Sequence, residues 1–291
     1  MKIPFTFIPK LNNLTNCEMK LIFWLLERKN AQGVVFGVRV GLFKQMMAKQ
    51  SFYNALQGLI DKGLIYTCHH KNTGDYDILI YDCSDKNCID ENGKACYINL
   101  NREIFRSDAF QELTSKAKYM MLNLYHKTSI KINSSGVRAT HEKYMNEFYK
   151  KYGSEMKRTK RRIREYLHDI KQFFNVNLKK GFKGWIYVIG RTRLTYSLDK
   201  KTSNVATKER RKHFVQTIFN RYKLKASDNA INDVAHLFIT YKPDNETMFE
   251  KQLERAIITH ARDKNKEVSP ARIHELLRNE LGFPAKETIH A

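Results

Sequence analysis

The chain lacks any apolar run that could span a bilayer. Its longest, Leu21 to Leu26, is six residues, where a spanning helix needs about 20. The first residues, Met1-Lys2-Ile3-Pro4-Phe5, carry no signal-peptide core or cleavage site, so the expectation is a soluble, cytoplasmic protein without membrane partners. There is no Cys-x2-Cys pair. The five cysteines, Cys17, Cys68, Cys83, Cys88 and Cys96, are odd in number and read as reduced thiols. The stretch Cys68-His69-His70 and the spacing Cys83-x4-Cys88-x7-Cys96 match no zinc pattern, so no metal is expected. No Gly-x4-Gly-Lys-[Ser/Thr] loop occurs, which leaves P-loop nucleotide hydrolysis unsupported. No His-x-His occurs, as DNA-nicking enzymes of the rolling-circle and relaxase type require, and the last tyrosine, Tyr241, precedes His260 and Arg262, the wrong order for a tyrosine recombinase. Asp82, Asp85, Asp90 and Glu91 read as a solvated loop rather than a metal-nuclease cluster. The expectation is a non-enzymatic protein with no cofactor.

Acidic residues are also in short supply: 30 Asp+Glu against 52 Lys+Arg, a net charge of +22. The excess is concentrated. Residues 1–94 are net +3, 95–149 net +3, 150–225 net +18 and 226–291 net −2. A basic segment set in a balanced chain predicts an electrostatic footprint for a polyanion. At its centre is Lys157-Arg158-Thr159-Lys160-Arg161-Arg162-Ile163-Arg164, in which six of eight residues are basic. Ile163, Tyr166, Leu167, Ile170, Phe173 and Phe174 follow at three- and four-residue spacing, the pattern of an amphipathic helix. At about 100° per residue, Lys157, Arg158, Arg161, Arg164 and His168 fall opposite that stripe. A plain solvated face is the common reason for such a row; the regional charge favours nucleic acid.

The fold class expected is mainly α with small β-hairpins, an α+β chain with two winged helix-turn-helix domains and a helical C-terminal domain. The segments are 1–94, 95–196 and 197–291. In the first, helices are expected over Asn16 to Arg28, Gly41 to Ala48, and from a Ser51 cap with Phe52, Ala55, Leu56, Leu59 and Ile60 inward. Gly63 stops the last helix. Strands over 64–68 and 76–81 flank an Asn72-Thr73-Gly74 turn. In the second, Cys96–Leu100 is a lead strand and Ser115 opens a helix to Lys127. Thr140 opens another that buries Tyr144, Met145 and Phe148 and ends at Gly153. Ser154 caps the basic helix, which runs to Phe174. Residues 175–178 and 185–189 form a hairpin with the tip Lys179-Lys180-Gly181-Phe182-Lys183-Gly184. The same order of elements thus recurs about 100 residues on. A linker over 197–207 leads to helices at 207–222, 228–241, 246–261 and 269–281, with Pro270 at a first helical position and Pro243 and Gly282 as breakers.

In a winged helix the third helix enters the major groove and the hairpin touches the flanking backbone. The second domain carries its cations at those two places: Lys157, Arg158, Lys160, Arg161, Arg162, Arg164 and His168 on the helix, Lys179, Lys180 and Lys183 on the hairpin. Arg can bond guanine in bidentate fashion and Glu165 could accept from cytosine. The first domain offers Gln50, Tyr53, Asn54 and Gln57, whose amides suit adenine, but little charge to neutralise phosphates. The residues after 226 are mildly acidic and suit a protein partner, while the basic stretch Lys208 to Lys212 is a further candidate DNA contact.

The stretch Tyr97-Ile98-Asn99-Leu100-Asn101-Arg102-Glu103-Ile104-Phe105, with Leu113-Thr114-Ser115-Lys116-Ala117-Lys118-Tyr119, resembles the opening of winged-helix domains in tandem winged-helix plasmid replication initiators of the Gram-positive type. The resemblance covers about residues 1–195 and omits the C-terminal helices. It implies double-stranded DNA as partner, one domain dimerising the protein into a homodimer, the other binding repeated origin sites, and contact with host replication proteins in a nucleoid- or plasmid-associated location. A transcriptional or partition regulator binding an operator or centromere is the alternative.

Overall fold

The computed structural model describes residues 1–128, 140–192, 205–262 and 267–282. It is an α+β mix of helices and small sheets. Strand β1 (Lys2–Pro4) opens the chain, followed by helix α1 (Asn16–Arg28), strand β2 (Val34–Val38), helix α2 (Lys49–Asp61) and the hairpin β3 (Ile65–His70) and β4 (Asp75–Ile80). Strand β5 (Tyr97–Asn99) leads into short helices α3 (Arg102–Arg106) and α4 (Asp108–Gln111). Then come helix α5 (Ser115–Lys127), strand β6 (His141–Tyr144), helices α6 (Met145–Met156) and α7 (Lys160–Asp169), and the hairpin β7 (Phe174–Gly181) and β8 (Gly184–Arg191). Helices α8 (Val205–Arg221), α9 (Asp228–Tyr241), α10 (Glu246–Arg262) and α11 (Pro270–Glu280) follow. Most of the expected linker at 197–207 falls outside the described residues.

A similar order of elements occurs twice: helix, strand, a helical segment, helix, hairpin, the helical segment being a 3-10 turn over Val40–Phe43 in the first copy and helix α6 in the second. The two three-stranded sheets also share an order, β2-β4-β3 and β6-β8-β7, so in each the lone strand pairs with the second strand of the hairpin. Strands β2 and β6 are absent from the sequence reading. Residues 141–144, expected to be helix, pair antiparallel with β8, His141 opposite Ile189 and Tyr144 opposite Ile186. Tyr144 and Met145 are consequently only half-buried, and the helix starts at Met145. The expected helix at 41–48 reduces to a 3-10 turn over Val40–Phe43. Helix α2 starts at Lys49, ahead of the expected Ser51 cap. Gly63 does end it, with φ +62 and its N–H bonded to Ile60 O. In the second copy Thr114 caps α5, accepting from the Ala117 N–H.

The chain folds into two compact units. One comprises residues 1–27, 45–64 and 81–202, the other 28–44, 65–80 and 203–291. In the first, β1 pairs with β5 across 95 residues of sequence, Ile3 opposite Ile98. Its core joins Phe23 of α1 to Phe105 and Phe110 at 5.7 and 5.3 Å between ring centres, and Phe110 to Phe173. Buried Glu27 accepts from Arg106 Nε at 2.6 Å.

In the second unit the sheet β2-β4-β3 shares a core with the four C-terminal helices. Phe36 of β2 packs edge-on to Phe214 of α8 at 5.2 Å, and His213 bonds Phe36 O at 2.9 Å. Gly37, at φ +64, lies so close to Thr217 that a Cβ would stand 2.2 Å from the threonine hydroxyl. Arg221 pairs with Asp75 at 2.9 Å and with Asp77, which also bonds His70 at 3.0 Å. Burial opposes ionisation of Asp75, yet its bonds from Thr73 and Arg221 hold the carboxyl below its usual range. The C-terminal helices follow their sequence signals. Helix α11 has Pro270 in its first turn and Ser269 as cap, accepting from the Arg272 N–H. Lys242 leaves α9 in the left-handed conformation just before Pro243.

Glu250 of α10 lies in this core, 4 % exposed, and accepts from Asn30 Nδ2 at 2.8 Å. Burial pushes its carboxyl up to about 7, against the pull of Asn30 and Arg210. The folded value exceeds the unfolded one. The stability this group contributes is therefore complete below its ordinary value of 4.5 and is lost as pH rises through about 7. Replacing Glu250 with Gln should remove that dependence. Amide exchange in α10 at about pH 8 should slow by the equivalent of about 1–3 kcal/mol, with little change at about pH 4. Equal exchange in both proteins at both pH values would contradict the buried carboxyl.

Candidate nucleic-acid interface

The basic run does not form one helix from Ser154 to Phe174. Helix α6 continues through Gly153 to Met156. Lys157 then adopts the left-handed conformation, φ +52, and the Arg158 N–H returns to Gly153 O at 3.1 Å. Gly153 is helical, and its missing side chain makes room for this return: a Cβ there would lie 3.3 Å from Arg158 O. Thr159, rather than Ser154, caps the next helix by accepting from the Arg162 N–H. Lys157 and Arg158 therefore lie in the turn between α6 and α7. Lys160, Arg161, Arg162, Arg164 and His168 lie on α7, and all seven are exposed. Ile163, Tyr166, Leu167 and Ile170 are buried as expected, while Phe173 and Phe174 are buried from the turn and strand beyond the helix.

The first turn of α7 holds Lys160, Arg161 and Arg162 and no acid. Cations there oppose the helix macrodipole, which favours anions at an N-terminus. Among the described residues Glu165, one turn on, offsets them, accepting from Arg162 at 2.6 Å and from Arg161 at 3.1 Å. The Arg162 bond, with Arg161, holds the Glu165 carboxyl below its usual range. Exposed Glu165 pairs of this kind contribute little to stability, so the turn keeps an excess of positive charge facing solvent.

Arg164 is placed differently. Its Nε donates to the Tyr149 hydroxyl at 2.9 Å, and its guanidinium sits 5.5 Å from that ring. The Tyr149 and Tyr187 hydroxyls share a hydrogen bond. Tyr187 lies on β8 and packs against Phe148 and Tyr149 of α6 at 5.2 and 6.0 Å. Burial pushes the Tyr187 hydroxyl up, so it stays protonated. This node ties α6, α7 and the hairpin together and fixes one exposed arginine of the row. Tyr149 was not a sequence candidate. Nothing in its spacing separates it from an ordinary core aromatic.

The hairpin is longer and tighter than expected. Strands β7 and β8 run to Gly181 and Gly184, and Phe182-Lys183 alone forms the turn. Lys179, Lys180 and Lys183 are exposed, Lys179 standing 4.0 Å from Glu142 of β6. Lys116 of α5 joins the basic surface near the α6–α7 turn. It donates to Asn12 Oδ1 at 2.9 Å, and burial, then Arg158 and Lys157, lower its pKa.

Other cations of the basic quarter are spent inside the fold. Arg191 is buried, donating to Tyr125 O and Thr128 O at 2.7 Å and lying 3.5 Å from the Tyr125 ring centre. Arg211 and Arg210 of the second unit both pair with Glu246, Arg211 at 3.0 Å. Burial opposes ionisation of Glu246, but the two guanidiniums hold its carboxyl below the usual range. Within the stretch Lys208 to Lys212, Lys208 is exposed. On α2, Gln50, Tyr53, Asn54 and Gln57 are exposed as expected, but Gln50 donates to Asn54 at 2.8 Å and Gln57 to Asp61 at 2.7 Å. Among the described residues no group of three or more His, Cys, Asp or Glu is placed to hold a metal, and no helix is long and apolar enough to cross a membrane. No family model, curated protein or solved structure matches the chain.

The Tyr149→Phe variant keeps the ring and removes the hydroxyl that holds Arg164. Loss of one such bond corresponds to about 1 kcal/mol. Duplex affinity, read by fluorescence anisotropy, should fall about fivefold with an unchanged salt dependence, because no charge is lost. Unchanged affinity would show that the placement of Arg164 plays no part in binding.

Proposed function

We propose that the chain is a non-enzymatic, sequence-specific double-stranded DNA-binding protein built on two winged helix-turn-helix modules. The observation that carries this reading is the convergence of exposed cations on α7 and on the β7–β8 hairpin within one compact unit. Those are the two elements a winged helix presents to a duplex. The twofold recurrence of the order helix, strand, helical segment, helix, hairpin, with the lone strand pairing the hairpin's second strand each time, supports the winged-helix assignment. In this reading α7 lies in the major groove, with Arg161, Arg162 and Arg164 near base edges. Lys157, Arg158, Lys160 and the hairpin lysines neutralise phosphates. The first module, with little charge and with its amides held by Gln50–Asn54 and Gln57–Asp61 hydrogen bonds, contributes lighter contacts.

Binding should depend steeply on salt. About six phosphate contacts give a slope of about −5 for log affinity against log salt. Arg161→Ala and Arg164→Ala should each relax sequence preference by about 1–3 kcal/mol, while Lys180→Ala should weaken all sequences alike. A flat salt slope, or identical effects of all three variants on selected and random DNA, would defeat the reading.

The biological role we assign is plasmid or mobile-element replication initiation, in the cytoplasm, with origin repeats as the target and a second copy and host replication proteins as partners. Two DNA-binding modules in one chain suit repeated sites. A plasmid bearing the flanking DNA and no other replication gene should be maintained when the full-length protein is supplied in trans, and lost with the Arg161→Ala/Arg164→Ala double variant. Repression of one promoter from a single operator, without plasmid maintenance, would assign it instead as a regulator.

A further inference from the structure

The tip of the second hairpin carries apolar surface that the groove-and-phosphate account leaves unused. Phe182 is 99 % exposed, Leu178 55 % and Trp185 54 %. They are not scattered. In the register of the hairpin Leu178 faces Tyr187 and Lys180 faces Trp185. Alternation along strands therefore puts Leu178, Lys180, Trp185 and Tyr187 on one face. That face is the one turned to the helices, since Tyr187 is buried against Phe148 and Tyr149 of α6 and bonds the hydroxyl that holds Arg164. Beyond Tyr187 the face becomes exposed toward the tip, Trp185 and Leu178 by about half and Lys180 with them. Phe182 stands at the turn, where a polar residue would serve a solvated loop better. Lys179, Lys180 and Lys183 surround it. An isolated exposed apolar side chain needs no explanation. Three of them, two aromatic, framed by lysines on the side of the arginine row, form an amphipathic tip suited to a partner that is both anionic and aromatic. Among macromolecules that partner is nucleic acid, whose base faces lie behind phosphates.

We propose that this tip is a stacking wedge: with the lysines on phosphates, Phe182 enters the minor groove and inserts at a base step, supported by Trp185, so that the bound duplex is locally unstacked and bent. Apolar wedges of this kind separate base steps at the expense of their stacking and bend DNA toward the major groove. Flexible pyrimidine–purine steps, or an unpaired base, lower that cost. The wedge would thus give preference for deformable sequence at positions no side chain reads. It rests on the DNA-binding reading above and adds to it a mechanical action on the duplex.

The test uses the full chain and duplexes selected by it from a random pool, carrying a fluorescent adenine analogue at successive steps and end labels for energy transfer. The wild-type protein should raise the analogue's fluorescence at one step beside the α7 footprint and shorten the end-to-end distance. Phe182→Ala should abolish both signals and lower affinity about tenfold, the scale of one aromatic–base stack. Phe182→Trp should retain them. The side chain makes no core contact at 99 % exposure, so the variant should fold as the parent does, which circular dichroism checks. Binding without either signal, or signals that survive in Phe182→Ala, overturns the wedge and leaves DNA binding standing. No binding to any duplex overturns both. A change in oligomeric mass on Phe182→Ala, seen by sedimentation with the DNA signals intact, assigns the tip to a second copy of the chain and overturns the wedge.

Discussion

One hydroxyl organises the basic surface. Tyr149 of α6 receives the Arg164 Nε and shares a hydrogen bond with Tyr187 of β8, so the helix that presents cations and the hairpin that presents lysines are referred to the same atom. Without such a tie, α7 would be held by its short apolar stripe and the hairpin by its ladders, its own and that with β6, and by packing on α6. Both elements are short, and a long cationic side chain on either has much rotamer freedom to lose on binding. A fixed guanidinium has already lost it. Preorganisation is thus built from neutral aromatic groups beneath the charge, and the repulsion within the cation row is borne by packing rather than by counter-ions.

Charge in this chain is divided between two uses. Arg191, Arg210, Arg211 and Arg221 stand within or beside the basic quarter, and each is held by carbonyls or carboxylates. They do the work of structural hydrogen-bond donors, a task for which a five-donor guanidinium is suited. Lys160, Arg161 and Arg162 occupy a helix start where their charge is unfavourable, with Glu165 to offset them. Cations kept where they weaken the local structure are better explained by a ligand than by the fold. Net charge summed over a region does not separate these uses; hydrogen-bond partners do.

Much of the framework was legible in the sequence. The bounds of α1 and α9, the Ser269–Pro270 start of α11, the stop at Gly63 and both hairpins all follow from local signals: caps, prolines, glycines and apolar spacing. What was missed depends on distant partners. Strands β1 and β2 exist by pairing with β5 and β4, and His141-Glu142-Lys143-Tyr144 is a strand because β8 lies beside it, not because of its composition. The basic helix was read as too long for a related reason. Phe173 and Phe174 keep helical spacing with Ile170, yet they are buried from a turn and a strand, and the break at Lys157 uses a left-handed lysine where no glycine or asparagine marks it. At the site, exposure of the α7 and hairpin cations followed from the pattern. The placement of Tyr149, Lys116 and Phe182 did not, because each depends on what surrounds the side chain.

The second unit is assembled from both ends of the chain. Residues 28–44 and 65–80 share its core with residues 203–291, and the closing contacts, such as Arg221 with Asp75, span 146 positions. On a ribosome this sheet emerges early and waits. At about 5–20 residues per second, many seconds separate synthesis of β4 from that of the helices that cover it. During that interval Phe36 faces solvent and the carboxylates of Asp75 and Asp77 lack Arg221. The first unit, complete by about residue 202, can close while the second is still half-made. Completion of the second unit is therefore gated by residues 203–291, and a chain halted before them carries a closed first unit together with an uncovered sheet.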